Sequence, residues 1–253
     1  MNIGALIIAR MSSSRFPGKV IAELFGEPMV GQIIKRMKTV VDTVCVATTS
    51  LPDDDELEYV ARDYGALVYR GETWDVFHRR WNASIENNFD YAFDVSGDCP
   101  FIDVELCRLL YNAVADNPGY DYYTHPPYYR DIGEAISPIR GLTYYPRVWE
   151  KLEKLTTLEE RKKVEGSYGA LLVEKGFNDT DDHTYFIKEH LNRIQTPMKL
   201  SIDYPIELDV ANLICEHLNH VPNTTDELVE AYKVVRIPSN LNSLATLVQR
   251  ARR

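Results

Sequence analysis

Between Ile3 and Val114 a short apolar run is followed, again and again, by a segment with the spacing of an amphipathic helix. That alternation confines the chain to an α/β fold with a mostly parallel central sheet and right-handed crossovers. The first run, Ile3 to Ala9, is apolar throughout rather than alternating, as a central strand covered on both faces must be. Pro28 suits the first turn of the next helix, in which Val30, Ile33, Ile34 and Met37 form one face. Thr43 to Thr48 is the second strand. Asp53 and Glu56 then form a capping pair for a helix whose inward face is Leu57, Val60, Ala61 and Tyr64. Leu67 to Tyr69 is a third strand, and Gly71 leads into a helix from about Trp74 to Asn87. Tyr91 to Val95 is the fourth strand, and Asp103 caps a helix that turns Leu106, Leu109, Leu110, Ala113 and Val114 inward.

After Asn117 the pattern changes. The stretch to Thr143 is rich in Tyr and Pro, with Tyr122, Tyr123, Tyr128 and Tyr129 close together, and reads as the start of an acceptor-side insertion that covers the site and runs to about residue 197. Lys199 to Ile202 reads as a later strand, with Val210, Leu213, Ile214 and Leu218 marking the helix behind it. The expected organisation is one domain over 1–225 with an insertion at about 117–197, and a helical tail over 226–253. At 253 residues and 45% apolar, the chain can fill one substantial core. Its net charge of −10 opposes a general nucleic-acid or membrane surface, whereas a small anion needs only a local basic cradle. Cys45, Cys99, Cys107 and Cys215 stand singly, without the close pairs of a zinc site or the density of a disulfide scaffold, so a reducing cytoplasm is expected.

Open α/β sheets bind ligands beyond the carboxyl ends of their strands, which directs attention to the loops after Ala9, Thr48 and Val95. The first of these, Arg10-Met11-Ser12-Ser13-Ser14-Arg15-Phe16-Pro17-Gly18-Lys19, combines three cations with small hydroxyl residues. Arg10 and Arg15 offer forked donors to phosphate oxygens and Lys19 a movable point charge, while the serines let backbone N–H groups approach closely. The loop has neither the glycines and Lys-Ser/Thr pair of a P-loop nor a dinucleotide fingerprint. Asp98 follows the fourth strand in Ser96-Gly97-Asp98-Cys99-Pro100, and Asp203 follows the later one in Ser201-Ile202-Asp203-Tyr204-Pro205. Two such carboxylates suit a hard divalent ion that keeps water and phosphate oxygens, although an aspartate in a turn is more commonly a cap.

Taken together, Ala9 to Lys19 and Gly97-Asp98-Cys99-Pro100-Phe101-Ile102-Asp103 resemble the spore-coat polysaccharide family of cytidylyltransferases, relatives of the CMP-ulosonate and CMP-acylneuraminate synthetases. Val46 to Ser50, Arg70-Gly71-Glu72 with Asp75-Val76 and Arg79, and Ser201 to Pro205 with Leu208 extend the match in order. The resemblance implies a nucleotide-diphospho-sugar-transferase fold that binds CTP and magnesium. It assigns nucleotide binding to Ala9, Arg10, Ser12, Ser13, Ser14, Arg15, Lys19, Thr48, Arg70 and Gly97, metal binding to Asp98 and Asp203, and catalytic stabilisation of phosphate charge to Arg15 and Lys19. It also suggests a homodimer. Where the family often carries Arg-Glu-His-Val-Thr on the acceptor side, this chain has Glu160-Arg161-Lys162-Lys163-Val164-Glu165-Gly166.

The expected reaction is attack of an acceptor oxygen on the α-phosphorus of CTP with release of pyrophosphate. An anionic sugar is the expected acceptor, with Arg130, Arg140, Lys162 and Lys163 as available cations and His125 as a neighbouring contact. A sugar-nucleotide-dependent glycosyltransferase and a non-catalytic nucleotide-binding protein are the alternatives, since a fold does not select its chemistry.

Overall fold

The apolar run at the start of the chain forms β1 (Ile3–Ile8), and the rest of the sheet is laid down around it. The computed structural model describes residues 1–124, 139–144, 150, 154–163, 184–187 and 201–235. After β1 come a short hairpin, β2 (Glu23–Leu24) and β3 (Glu27–Pro28), then α1 (Met29–Met37), β4 (Val44–Thr49), α2 (Asp55–Asp63) and β5 (Leu67–Gly71). These are followed by α3 (Val76–Glu86), β6 (Tyr91–Ser96), α4 (Val104–Asp116), β7 (Tyr122–Thr124), β8 (Ile139–Tyr144), α5 (Leu158–Lys163), β9 (Thr184–Phe186), α6 (Pro205–Leu218) and α7 (Thr225–Val234).

Among the described residues the main sheet has the order β5-β4-β1-β6-β8-β7-β9. Every pairing from β5 to β6 is parallel, and only β8 runs against its neighbours, so the sheet is mostly parallel as expected. From β1 the chain moves outward through β4 and β5, then crosses back to place β6 on the other side of β1. The strand order therefore reverses between β1 and β6, which opens a crevice beyond their carboxyl ends. No helix among the described residues is long and apolar enough to cross a membrane.

Helices cover both faces. Ala83 of α3 packs with Leu6, Cys45, Ala47 and Ala92 on one side, while Val30, Ile33, Leu57, Ala61 and Leu110 close the main core on the other. The apolar face read for α1 is thus the face on the sheet. Its Met29 points into a further core with Leu24, Phe101, Ile202, Ile214 and Leu228, so α1 is buried between two layers. Arg36, on this helix, donates to the carbonyls of Ile102 and Val221 and ties α1 to the loop after β6. Each fully buried aliphatic side chain contributes about 1.5–3 kcal/mol. Leu228 and Val229 of α7 join this second core, so the start of the stretch read as a helical tail over 226–253 is helical and packed, and from 236 onward that stretch lies outside the described residues.

Three local expectations are answered differently. Asp53 and Glu56 do not cap α2, because the helix begins at Asp55 and a 3-10 turn, Pro52–Asp54, precedes it. Within the stretch read as an insertion, β7 and β8 are strands of the main sheet, and Tyr123 is buried with its hydroxyl donating to Asn117 O at 2.6 Å. Ser201 and Ile202 belong to no strand, while residues 199 and 200 lie outside the described residues; the Ile202 amide instead donates to Asp98 O at 2.8 Å. By contrast Asp103 caps α4 through Leu106 N at 2.9 Å, and its other oxygen accepts from Thr225 N and Oγ1, tying α7 to α4.

Candidate active site

The crevice between β1 and β6 is narrow at its base because these strands are in register to their ends, Ile8 opposite Ser96. Gly97 continues the approach: its amide donates to Ile8 O at 2.8 Å, and a Cβ there would lie 2.6 Å from the Ala9 Cβ. Any larger residue would push the two loops apart. The loop after β1 is closed at its neck by Gly18 N donating to Met11 O at 2.9 Å, with Gly18 at φ +72°, a conformation glycine adopts without strain. Ser13 Oγ accepts from Phe16 N at 3.3 Å within the loop. Arg10, Ser12, Ser14 and Arg15 are exposed, Ser13 is half-buried and Ala9 is buried beneath them.

Lys19 turns inward from this loop and is 8% exposed. Its Nζ donates to Asp98 Oδ2 at 2.7 Å, Asp203 Oδ1 at 2.9 Å and Ile202 O at 3.1 Å. Arg15 Nη2 donates to the same Asp203 oxygen at 2.7 Å, and its guanidinium lies 5.6 Å from the centre of the Tyr204 ring. Ser96 Oγ donates to Asp98 Oδ1 at 2.6 Å. Burial alone would raise the Asp98 carboxyl, but the Lys19 charge and the hydrogen bonds from Lys19 and Ser96 outweigh it and hold the group below the usual carboxylate range. Asp203 is set by the start of α6, where the Asp203 and Tyr204 amides donate to Glu207 Oε2 at 2.6 and 3.0 Å.

The structure therefore brings Lys19, Arg15, Asp98 and Asp203 together, with Ala9 and Gly97 forming the floor. Two carboxylates converging on one ammonium are hard oxygen donors around a position that already attracts positive charge, which fits magnesium. Among the described residues no three His, Cys, Asp or Glu side chains form a metal cage, so an ion held here would take its other ligands from water and phosphate.

Thr48 and Arg70 are placed on the other side of β1. Thr48 is fully buried at the end of β4, and its Oγ1 has no hydrogen-bond partner among the described residues. Arg70 donates to Thr49 O at 2.9 Å, to Glu58 Oε2 at 3.0 Å, and to Leu51 O and Asp55 Oδ1, a brace between β4, β5 and α2. Of the acceptor-side residues, His125, Arg130, Tyr128 and Tyr129 lie outside the described residues; Arg140 falls in β8, Lys162 in α5, and Lys163 is exposed. The same short helix places Arg161 Nε 3.8 Å from Asp75 Oδ2, so the divergent segment meets the start of α3.

Two charged residues matter more than their sequence setting suggested. Arg79 is 2% exposed, donates to Glu72 O at 3.0 Å through Nη1, and has no partner at Nε among the described residues. Burial, with the charges of Arg80 and Arg10 adding to it, lowers its pKa to about 10, against the opposing effect of Asp54 and Asp75; it stays charged at neutral pH. The available signal was position: Arg79 and Arg80 stand one turn before Ala83 and Ser84 on the buried face of α3. The second residue is Asp54, 2% exposed, which accepts from Met11 N at 2.6 Å, from Thr49 N at 3.1 Å and from Thr49 Oγ1.

Residues 4–147 match the cytidylyltransferase family model. A 3-deoxy-manno-octulosonate cytidylyltransferase from Parabacteroides distasonis is 33% identical over 122 residues, 46% of this chain and 46% of that protein. The chain thus aligns with about half the length of the curated relatives it matches. A cytidylyltransferase structure from Leptospira borgpetersenii serovar Hardjo-bovis superposes with a TM-score of 0.75 at 25% identity, covering 92% of this chain and 94% of that one. The structure of a CMP:2-keto-3-deoxy-manno-octonic acid synthetase complexed with CTP shares the fold, with a TM-score of 0.62 at 20% identity over 85% of this chain and 99% of that one.

Proposed function

The chain belongs to the cytidylyltransferase family, and from that premise we propose that it transfers CMP from CTP to an acidic sugar, releasing pyrophosphate with the help of magnesium. The observation that carries the reading is the convergence on Lys19 of Asp98 and Asp203, 79 and 184 residues further along the chain, at the strand-order reversal. In this reading an acceptor oxygen attacks the α-phosphorus of CTP in line, the bond from that phosphorus to the bridging oxygen breaks, and pyrophosphate departs.

Arg10, Ser12, Ser13, Ser14 and Arg15 bind the triphosphate from the rim of the loop. Arg15 and Lys19 stabilise charge as the leaving group separates. Ala9 and Gly97 shape the floor, and the buried Thr48 hydroxyl and the Arg70 brace support the nucleotide side from β4 and β5. Asp98 and Asp203 would hold magnesium, which would supply Lewis-acid neutralisation of phosphate oxygens. The spore-coat polysaccharide branch is part of the proposal on the strength of the motifs, whereas curated relatives from Parabacteroides distasonis and Geobacter sulfurreducens are named for 3-deoxy-manno-octulosonate. An ulosonate carries the carboxylate that an anionic-acceptor site requires. A cytoplasmic homodimer completes the reading, and light scattering at micromolar concentration tests the assembly.

The direct test is a pyrophosphate-release screen with CTP, magnesium and a panel of acidic, neutral and phosphorylated sugars, followed by mass analysis of the product. A CMP-linked acidic sugar is expected. Efficient product from a neutral sugar with failure of every anionic one would reject the acceptor class, and hydrolysis or transfer from a finished sugar nucleotide without use of CTP would reject the reaction.

A further inference from the structure

Asp54 occupies the N-cap position of α2, yet its side chain makes no capping hydrogen bond to that helix. An aspartate there normally accepts from the first turn and contributes about 1 kcal/mol. Here the carboxylate turns away. One oxygen accepts from Met11 N at 2.6 Å; the other accepts from Thr49 N at 3.1 Å and from Thr49 Oγ1. A 3-10 turn, with Asp54 N donating to Leu51 O at 3.0 Å, delivers it to that place. A helix that forgoes its own cap signals that another demand on the residue prevailed.

What the carboxylate holds is the neck of the loop after β1. Met11 is pinned twice, its N–H by Asp54 and its carbonyl by Gly18 N at 2.9 Å. The peptide units on either side carry Arg10 and the run Ser12 to Arg15, so the orientation of Met11 sets where these side chains and amides point. We infer that Asp54 is a positioning residue for nucleotide binding, which fixes the first loop by clamping the Met11 amide to the end of β4. The inference rests on the reading that this loop binds the triphosphate.

Charge gives the inference a test by sign. A carboxylate beneath a polyanion site repels the ligand, so if Asp54 were only a nearby charge, removing it would tighten binding. If it positions the loop, removing it leaves the part-buried Met11 amide and the buried Thr49 amide without their acceptor and weakens binding despite the relieved repulsion. Calorimetry with magnesium-CTP and with inorganic tripolyphosphate compares the parent with Asp54→Ala and Asp54→Asn; Thr224→Ala, which removes the cap of α7 away from the loop, is the control for simple loss of stability.

The expected result is about tenfold weaker binding for Asp54→Ala and about threefold or more for Asp54→Asn, which keeps one acceptor oxygen but turns a donor toward Thr49, with the control within about twofold of the parent. If Asp54→Ala does not fold, Asp54→Asn carries the test. Unchanged or tighter binding by a folded Asp54 variant overturns the inference. Hydrogen exchange separates its failure from failure of the nucleotide reading: should the parent bind neither ligand, faster exchange of the Met11 amide in the variants still supports the clamp, and unchanged exchange defeats it.

Discussion

Two clusters of cations and carboxylates lie at the carboxyl edge of the sheet, and they are built in opposite ways. At β5, Arg70 meets Asp55 and Glu58 from a neighbouring helix, the Thr49 carbonyl at the end of β4 and the Leu51 carbonyl in the loop after it, and Asp55 is 68% exposed. Among the described residues all its partners lie within 21 residues, and the cluster braces the structure that supplies it. At β1, Lys19 is held between two aspartates drawn from distant parts of the chain, with side chains 10%, 23% and 9% exposed for Lys19, Asp98 and Asp203. Water screens the first cluster and weakens each pair in it, while partial burial preserves the second. The contrast teaches that a charged site suited to a ligand is recognised by long-range convergence and burial rather than by the number of ion pairs.

The largest effect expected from this contrast is on turnover. Asp98→Asn and Asp203→Asn keep the shape of each side chain but remove its negative charge, and each should reduce magnesium-dependent turnover by about a hundredfold or more, with the circular dichroism of the parent retained. Normal turnover in both folded variants would remove the metal assignment. Next comes Lys19→Ala, which leaves the two carboxylates facing one another without their shared cation. It should lower unfolding free energy by about 3 kcal/mol in urea titrations and weaken CTP binding as well. A neutral effect on both would place Lys19 with ordinary surface charge. Arg70→Ala should cost no more than about 1 kcal/mol, and added salt should shrink that cost further. A loss of nucleotide affinity as large as that of Lys19→Ala would erase the distinction between the clusters. The smallest effect is expected at Cys99, whose thiol is a weak donor 3.4 Å from Asp98 Oδ1; Cys99→Ala leaves the Lys19 and Ser96 bonds in place and should alter turnover by less than about twofold.

The same contrast explains what could be read from the sequence. Continuous apolar strands and helix-spaced apolar faces report local burial, so the run from Ile3 to Val114 yields its strands, helices and the parallel half of the sheet. The Arg10–Lys19 loop is concentrated enough in charge to stand out, and Asp98 is visible as a strand-end motif, whereas Asp203 was read at the end of a strand that Ser201 and Ile202 do not form; the meeting of the two at one ammonium is a property of topology. Local rules misplace Asp53 and Glu56 as a cap because a 3-10 turn delays the start of α2 to Asp55, and the residue that does take the N-cap position, Asp54, sends its carboxylate to a loop more than forty positions away. They also miss β7, where Tyr122 and Tyr123 look like part of a covering loop until pairing with β8 buries the Tyr123 ring. Arg79 was visible as part of the family match, but its burial was not: composition treats an arginine as exposed, whereas helical phase puts it on the inner face of α3.

The central claim is that the crevice between β1 and β6 is a magnesium-dependent CTP site, and calorimetry of the full chain with CTP, UTP, ATP and GTP in the presence of magnesium tests it most directly. The account predicts that CTP binds tightest, that removing magnesium weakens it, and that Asp98→Asn loses most of the metal-dependent gain. Equal affinity for all four nucleotides or a purine preference would contradict cytidine selectivity, and CTP binding untouched by both magnesium and Asp98→Asn would contradict the site itself.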